Sequence, residues 1–361
     1  MVYIGVDLHR KISQVAALAP EGQLLWNRRI RSRPADFLAI AGELEGQPVE
    51  VAFEATYGWG WFADLLVDLG WPAHMAHPLA TKAISSARVK NDAVDAKTLA
   101  HLLRTNLLPE AWIGPPDCRE ARRLVRTRTA MVRFRSRLKC QVLAILAEHG
   151  LELPDVTDPF GRQGRAFLDE ALLPPISRAR VSGHLRLIDA INAEIHRAEV
   201  DMRSTFADDP RTHRLLAIPG IGPATAATVV AEVWDVQRFA NADALSSWAG
   251  LTPSEHSSAE HTRRGHITKQ GSRWLRWVMV EAATGAVRDA GHRRYFCQVL
   301  RGDPKRAKIA RVALARRLLT LCYYALRDEG GCRAYPAPTI AIGSRSGRAR
   351  SCHGLRRRPG F

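Results

Sequence analysis

The sequence predicts an α/β unit at the N-terminal end followed by a mainly helical remainder. Three observations carry that prediction. Apolar runs of strand length end in acids, "VYIGVD" at 2–7 and "VEVAFE" at 49–54, and a helix-like segment and a further apolar run follow the second. Residues 117–150 and 186–206 then carry apolar positions at helical spacing between many charges. At 218–230, "IPGIGPATAATVV" places Pro and Gly just ahead of an apolar helical run, the mark of a new helix start.

Taken in order, residues 12–30 read as two strands around the turn "PEGQ". "GWFADLLVDLGW" at 60–71 reads as a helix, "PAHMAHP" at 72–78 as a strand and turn, and "RVKNDAVDAKTLAHLL" at 88–103 as a helix. These segments predict a first domain over about 1–112 with a mixed sheet. In the segment 113–210, Leu187, Ile191, Ile195 and Val200 recur at four- and five-residue steps, and the two long helices are expected to pair as an antiparallel or intermolecular coiled coil. The segment 151–180, rich in Pro and Gly, reads as a long connecting loop. A second compact unit spans 211–331 and ends in a helix at about 304–331. Residues 332–361 read as a disordered basic tail, since 333–361 holds seven arginines and no acid.

The 361 residues carry 53 Lys+Arg against 36 Asp+Glu, a net charge of +17. A surplus of that size attracts a polyanion, and nucleic acid is the partner it points to. No apolar run is long enough to span a bilayer, so no membrane partner is expected. "MVYIGVDLHR" reads as the start of a folded strand, with no basic stretch leading into an apolar one as in a signal peptide. The six cysteines form no CxxC pair, which argues against a zinc ribbon and fits a reducing cytoplasm. Cys297 and Cys322 fall in helical segments and read as buried thiols.

Four acids stand out. Asp7 and Glu54 end strand-like runs, and strand ends are where open α/β sheets present their sites. Asp92 and Asp95 have the i, i+3 spacing that sets two side chains on one helix face, where the plain alternative is a solvated surface or, for Asp92, a helix cap. Clustered carboxylates repel one another, and binding a cation relieves that repulsion. An oxygen-only set favours Mg²⁺ or Mn²⁺ over zinc, and two such ions about 4 Å apart serve phosphoryl displacement. The order Asp, Glu, Asp, Asp within one α/β domain of a basic chain resembles ribonuclease-H-like nucleases of the Holliday-junction-resolvase type. Arg88 and Lys90 beside the pair are placed to hold phosphates.

In the second unit, Gly220 and Gly222 of "IPGIGPATA" fit a helix-hairpin-helix, whose backbone N–H groups bind a phosphate at a helix start. The alternative is a plain helix-initiating turn. The segment 246–283 combines hydroxyl residues with His256, His261 and the cations Arg263, Arg264, Lys269, Arg273 and Arg276. A serine there could attack a phosphodiester held by the cations. Spacing alone leaves Ser254, Ser257, Ser258 and Ser272 open as the nucleophile.

Six segments in this order, "YIGVDLH", "FEATYGWGW", "KNDAVDAKTLA", "IPGIGPATA", "WAGLTPSEHSS" and "GHITKQGSRWLR", resemble transposases of the insertion sequence 110 family over residues 2 to about 327. The resemblance implies a RuvC-like N-terminal domain whose DEDD acids match Asp7, Glu54, Asp92 and Asp95. It further implies coiled-coil helices used in dimerisation and a mainly helical C-terminal transposase domain with a catalytic serine. The family segment Gly-Leu-Thr-Pro-x-x-aromatic-x-Ser-Gly aligns with "GLTPSEHSSA" and sets the serine at Ser258. Two positions depart from it: His256 replaces the aromatic residue and Ala259 the final glycine. The basic tail departs as well.

Some members are guided by a structured bridge RNA. The implied partners are therefore donor and target double-stranded DNA, that guide RNA and further copies of the chain, a dimer with a tetramer on DNA. The implied location is the bacterial cytoplasm, on the nucleoid when DNA is bound. In the implied chemistry Ser258 forms a covalent phosphoserine with DNA, assisted by Mg²⁺ or Mn²⁺ at the acids in a site composed between protomers. Two other readings are a metal-dependent junction nuclease in which Ser258 is structural, and a nucleic-acid-binding protein without catalysis.

Overall fold

β1 (Val2–Asp7) is the strand around which the N-terminal unit, Met1–Pro116, is built. The computed structural model describes residues 1–84, 92–258 and 261–328, with the side chains of 92–93, 256–258 and 261–264 outside that description. The predicted basic tail therefore lies outside the described residues, apart from its place in the sequence.

β2 (Ile12–Leu18) and β3 (Leu24–Arg31) follow β1 as an antiparallel meander. α1 (Pro34–Glu43) leads to β4 (Val49–Glu54), which lies parallel to β1. α2 (Gly60–Asp68) leads to β5 (Ala73–Ala76), parallel to β4. Then come α3 (Pro78–Ile84), α4 (Asp92–Arg104) and the short antiparallel β6 (Glu110–Ala111). The result is a mixed six-stranded sheet in the order β3-β2-β1-β4-β5-β6. α1 goes beyond the sequence-based expectation, although Pro34 in its first turn and Asp36 behind it are helix-start signals.

The two faces of the sheet are covered differently. Ile4, Val6, Val51 and Phe53 point to one face and pack with Phe37 and Ile40 of α1 and Phe62 and Leu66 of α2. Burying a side chain of this kind stabilises by ~1.5–3 kcal/mol, and the rings of Phe37 and Phe62 meet at 4.6 Å. The alternate residues Tyr3 and Ala52 face the other way, against Leu99 and Leu103 of α4. Gly5 lets the helix come closest. A Cβ there would sit 2.0 Å from the carbonyl oxygen of Ala96, so backbone packs on backbone at the crossing.

The second unit runs from Asp117. It opens with α5 (Pro116–Glu148), followed by α6 (Arg162–Glu170) and α7 (Pro175–Phe206). Leu138, Val142 and Ile145 of α5 pack with Val181, Leu185 and Ile188 of α7, and Leu168 of α6 closes that cluster. Ala121 and Val125 share another cluster with Met202 and Phe206. The start of α5 thus meets the end of α7, and the two helices are antiparallel within one chain. The segment expected to be a long loop instead contains α6 and the first turns of α7. Pro175 in the first turn of α7 starts that helix eleven residues before the amphipathic pattern becomes legible at 186.

α8 (Pro210–Leu216), α9 (Pro223–Val233), α10 (Ala242–Trp248), α11 (Arg273–Ala286), α12 (Ala290–Leu300) and α13 (Ala307–Arg327) form the helical core, with a 3₁₀ turn at Pro304–Arg306. α13 is its centre: Ala310, Leu314, Ala315, Leu318, Leu319 and Cys322 are wholly buried. Cys297, expected to be buried, is only half-buried on α12. Between α10 and α11 the chain forms a two-stranded antiparallel hairpin, β7 (Pro253–Ser258) and β8 (His261–Ile267), where the sequence suggested a loop. Both strands are polar on both faces, so the period-two apolar signal of a half-buried strand is missing. Among the described residues no helix is long and apolar enough to cross a membrane.

Candidate active site

The acids of the first unit are gathered by strand register. Val6 pairs with Phe53 in the parallel β1–β4 ladder, so Asp7 and Glu54 are the next residues on adjacent strands. Alternation along each strand sets Asp7 on the face of Gly5 and Glu54 on the face of Ala52, the side covered by α4.

The direction of α4 decides which of its ends they meet. Tyr3, at the start of β1, packs by Leu99 and Leu103. Arg104, the last residue of α4, donates to the Pro20 carbonyl at 3.2 Å, in the β2–β3 turn at that same end of the sheet. The first turn of α4, with Asp92 and Asp95, therefore lies at the end where Asp7 and Glu54 stand. Asp95 lies four residues before Leu99 and so on the sheet-facing side of the helix. Thr56 Oγ1 donates to the Leu8 carbonyl at 2.6 Å and ties the loops leaving β4 and β1 together.

Asp7 is only 7% exposed, and His9 Nε2 lies 3.2 Å from its Oδ2. The side chain of Asp92, and Arg88 and Lys90 entirely, lie outside the described residues. Among the described residues no three His, Cys, Asp or Glu side chains are drawn closely enough together to hold a metal ion. In its chemistry the donor set suits a hard divalent cation, because Asp7, Glu54 and Asp95 offer carboxylate oxygens only. The three described carboxylates do not close a coordination shell by themselves.

The serines of the second unit separate by position. Ser272 caps α11: its Oγ accepts from Leu275 N at 3.2 Å and donates to Glu232 Oε2 at 3.0 Å. Ser254 stands at the hairpin base, its Oγ 2.5 Å from where a Cβ on Gly265 would lie. Ser257 pairs with Thr262 and Ser258 with His261, the last ladder pairs before the tip. The tip itself, including Ala259, lies outside the described residues.

Hydrogen bonds at its base hold the hairpin in place. Gly271 has φ +69°, and a Cβ there would sit 1.8 Å from the Trp248 carbonyl, which accepts from Ser272 N at 3.1 Å. Arg276 Nη1 donates to the carbonyls of Ala249 at 2.9 Å and Gln270 at 3.2 Å, and burial pulls the guanidinium pKa down. Arg276 thus positions the loop. Lys269 and Arg273 are exposed, Arg273 stacking over Trp274. Arg263 and Arg264 stand on β8 opposite His256 and Glu255.

The helix-hairpin-helix segment folds as α8, a turn and α9. Gly220 has φ +91°, and a Cβ would lie 2.4 Å from that of Ala286, so this glycine is required by packing. Gly222 caps α9 in an extended conformation with open space where a Cβ would point, which leaves the backbone there approachable.

One network has no counterpart in the sequence-based expectations. Glu232 is wholly buried and accepts two hydrogen bonds from Arg126, at 2.6 and 2.9 Å, besides that from Ser272. Arg122 and Arg238 donate to the last carbonyls of α9, those of Ala231, Glu232 and Val233. Burial, with the charge of Arg122 adding to it, brings the Arg238 pKa down to about 10. Part of the basic surplus is therefore structural. The one sequence signal was Arg122 and Arg126 at i, i+4; their partners on α9 are distant in the chain.

Comparisons with known proteins point to transposases. A DEDD transposase model of the IS110 type, described as a transposase, matches residues 4–150. A second, described as the transposase IS116/IS110/IS902 family, matches residues 212–297. The chain is 26% identical to a probable family 20 transposase of Pseudomonas aeruginosa, over 90% of this chain and 97% of that one. It is 25% identical to the transposase for insertion sequence element IS1328 of Yersinia enterocolitica, over 78% and 82%. It is 24% identical to the transposase for insertion sequence element IS1111A of Coxiella burnetii, over 79% and 78%.

Proposed function

We propose, from the family matches and the names of its relatives, that the chain is a transposase of the IS110/IS116/IS902 type and that it cuts and rejoins DNA strands through a serine nucleophile. A carboxylate quartet assists at the end of a ribonuclease-H-like sheet. The observation that carries this reading is the convergence of Asp7, Glu54 and the first turn of α4 at one end of the sheet. The strand order supports the ribonuclease-H-like assignment: an antiparallel meander continued by parallel strands on the other side of β1.

Ser258 is the proposed nucleophile. Its place at the end of β7, beside the tip, sets it apart from Ser272, which caps a helix, and Ser254, which lies at the base. Its Oγ attacks a DNA phosphorus. The new Oγ–P bond replaces a bond to one strand, which leaves with a hydroxyl and takes up a proton equivalent to the one the serine lost. A 3′ hydroxyl of another strand then attacks the phosphoserine, restoring the serine and making the joined strand. The phosphodiester energy is kept in the covalent bond, so no ATP is consumed.

Asp7, Glu54, Asp92 and Asp95 are the residues that would hold Mg²⁺ or Mn²⁺. Such an ion supplies charge neutralisation at the phosphate when bound. Lys269, Arg273, Arg263 and Arg264, with Arg88 and Lys90, grip phosphates, and Gly222 offers backbone N–H groups at the start of α9. Base pairing to a bridge RNA would choose the DNA sites, leaving the protein to hold backbone and shape. The working form is a homo-oligomer on DNA.

Trapping a covalent protein–DNA adduct tests the central claim. Ser258→Ala is expected to abolish the adduct while DNA binding persists. An adduct formed at full yield by this variant would sink the nucleophile assignment, and cleavage without any adduct in the native chain would favour a metal-dependent nuclease.

A further inference from the structure

A cleft of about 880 Å³ opens in the second unit between the base of the β7–β8 hairpin and helices α12 and α13. That is the upper part of the ~300–1,000 Å³ range of sites for small molecules and cofactors. Its wall is apolar, with Leu251, Val312 and Leu321 beside the rings of Tyr295 and Tyr324. Ile309 stands on it 58% exposed.

The rim is cationic. Lys269 and Lys308 are exposed and have no ion-pair partner among the described residues. Arg317 lies over the Tyr295 ring at 4.7 Å. The one acid of the lining, Asp243, is engaged by Arg316 at 2.8 Å.

We propose that this cleft binds an unpaired stretch of a DNA strand, with bases against the tyrosines and aliphatic wall and phosphates on Lys269, Lys308 and Arg317. Aromatic faces and flanking cations are the pair of features by which proteins hold single strands, because every base has a face to stack and every linkage a charge to neutralise. A duplex hides those faces inside its own stack. An apolar peptide would use the wall but leave the cationic rim unmatched. The occupant is DNA because Pro253 and Ile267 line the cleft and form the first ladder pair of the hairpin. Ser258 is five residues along β7, roughly 16 Å at ~3.3 Å per residue. A strand attacked at the tip can continue into the cleft. The choice of DNA rests on the serine reading above; the single-strand chemistry of the cleft does not.

The test uses the full chain and a short oligothymidylate carrying a photoreactive 4-thiothymidine. Crosslinks mapped by mass spectrometry are expected on Tyr295, Tyr324 or their neighbours in the cleft, and a fully paired duplex of the same sequence is expected to give none there. Ile309→Glu adds a negative charge at an exposed position. It should lower single-strand affinity about tenfold or more while the melting curve stays that of the native chain. Lys308→Gln should lower the slope of log affinity against log salt by about one.

Crosslinks that fall outside the cleft, or affinity unchanged in Ile309→Glu, would overturn the proposal. Preference for oligouridylate over oligothymidylate in the cleft would overturn the choice of DNA. A changed oligomeric mass in Ile309→Glu with crosslinks intact elsewhere would assign the cleft to a second copy of the chain instead. Crosslinking needs no cleavage, so the two readings fail separately. Adduct formation with no crosslink in the cleft defeats this proposal alone, and an adduct persisting in Ser258→Ala with cleft crosslinks present defeats only the serine assignment.

Discussion

The acid end of the sheet and the β7–β8 hairpin hold their polar groups by opposite means. Asp7 and Glu54 leave strands whose other residues, apart from the half-buried Tyr3 and Glu50, are buried, and α4 is pressed onto β1 until only a glycine fits between them. The hairpin has almost no apolar face of its own. It is held at its base by hydrogen bonds: Ser272 and Arg126 on Glu232, and Arg276 on two carbonyls. Close packing sets where the acids stand, whereas a hydrogen-bonded frame anchors a strand pair and leaves its far end to its own ladder.

The largest effect is expected from chemistry alone. Asp7→Asn keeps shape and burial but removes the charge, so strand cleavage should fall on the order of 10³-fold with the unfolding midpoint little changed. A cleavage assay beside a denaturant curve checks both. Gly5→Ala attacks the packing instead. Its Cβ would meet the Ala96 carbonyl at 2.0 Å, and a loss of about 3 kcal/mol is expected by denaturant unfolding, with cleavage lost because α4 is displaced.

Glu232→Ala loosens the hairpin frame. Arg126 is 38% exposed and can turn to water, so the cost should be about 2 kcal/mol, less than for a fully buried pair. Unfolding of this variant should leave the acids of the first unit in place while adduct formation drops. Were Glu232→Ala to leave adduct yield untouched, the frame would not be what positions the hairpin.

The smallest effect is pH dependence in the helical core. His292 is 6% exposed, and burial lowers its pKa, with Asp289 pulling the other way and Arg317 adding to the depression. The unfolded histidine then binds its proton at a higher pH than the folded one. Stability should be full above about pH 6.5 and decline as pH falls below it. His292→Gln should flatten that decline in thermal melts taken across this range.

The element types were legible where one physical signal dominated. The strands ending in Asp7 and Glu54 show as apolar runs closed by an acid, and α9 shows through Pro223 after Gly222. The hairpin was not legible because its strands carry no alternating apolar residues, and α6 because nine residues between prolines and glycines carry too short a period. Ser272 was one of four candidate serines by spacing; its cap bond to Leu275 and its bond to Glu232 give it another task. Arg276 was counted with the phosphate-holding cations, and its guanidinium instead meets two carbonyls.

By itself the sequence determined the charge of the chain, the acids at strand ends, the helix starts and the order of motifs that resembles insertion sequence 110 transposases. These are properties of composition and of neighbours along the chain, and they survive without coordinates. Tertiary structure alone decided that β1 and β4 are adjacent and parallel, that α4 runs back over them with its first turn at the acids, and which arginines support the fold. Register and helix direction depend on contacts between residues far apart in sequence. Such contacts are set by how whole faces fill space, and no local pattern encodes them.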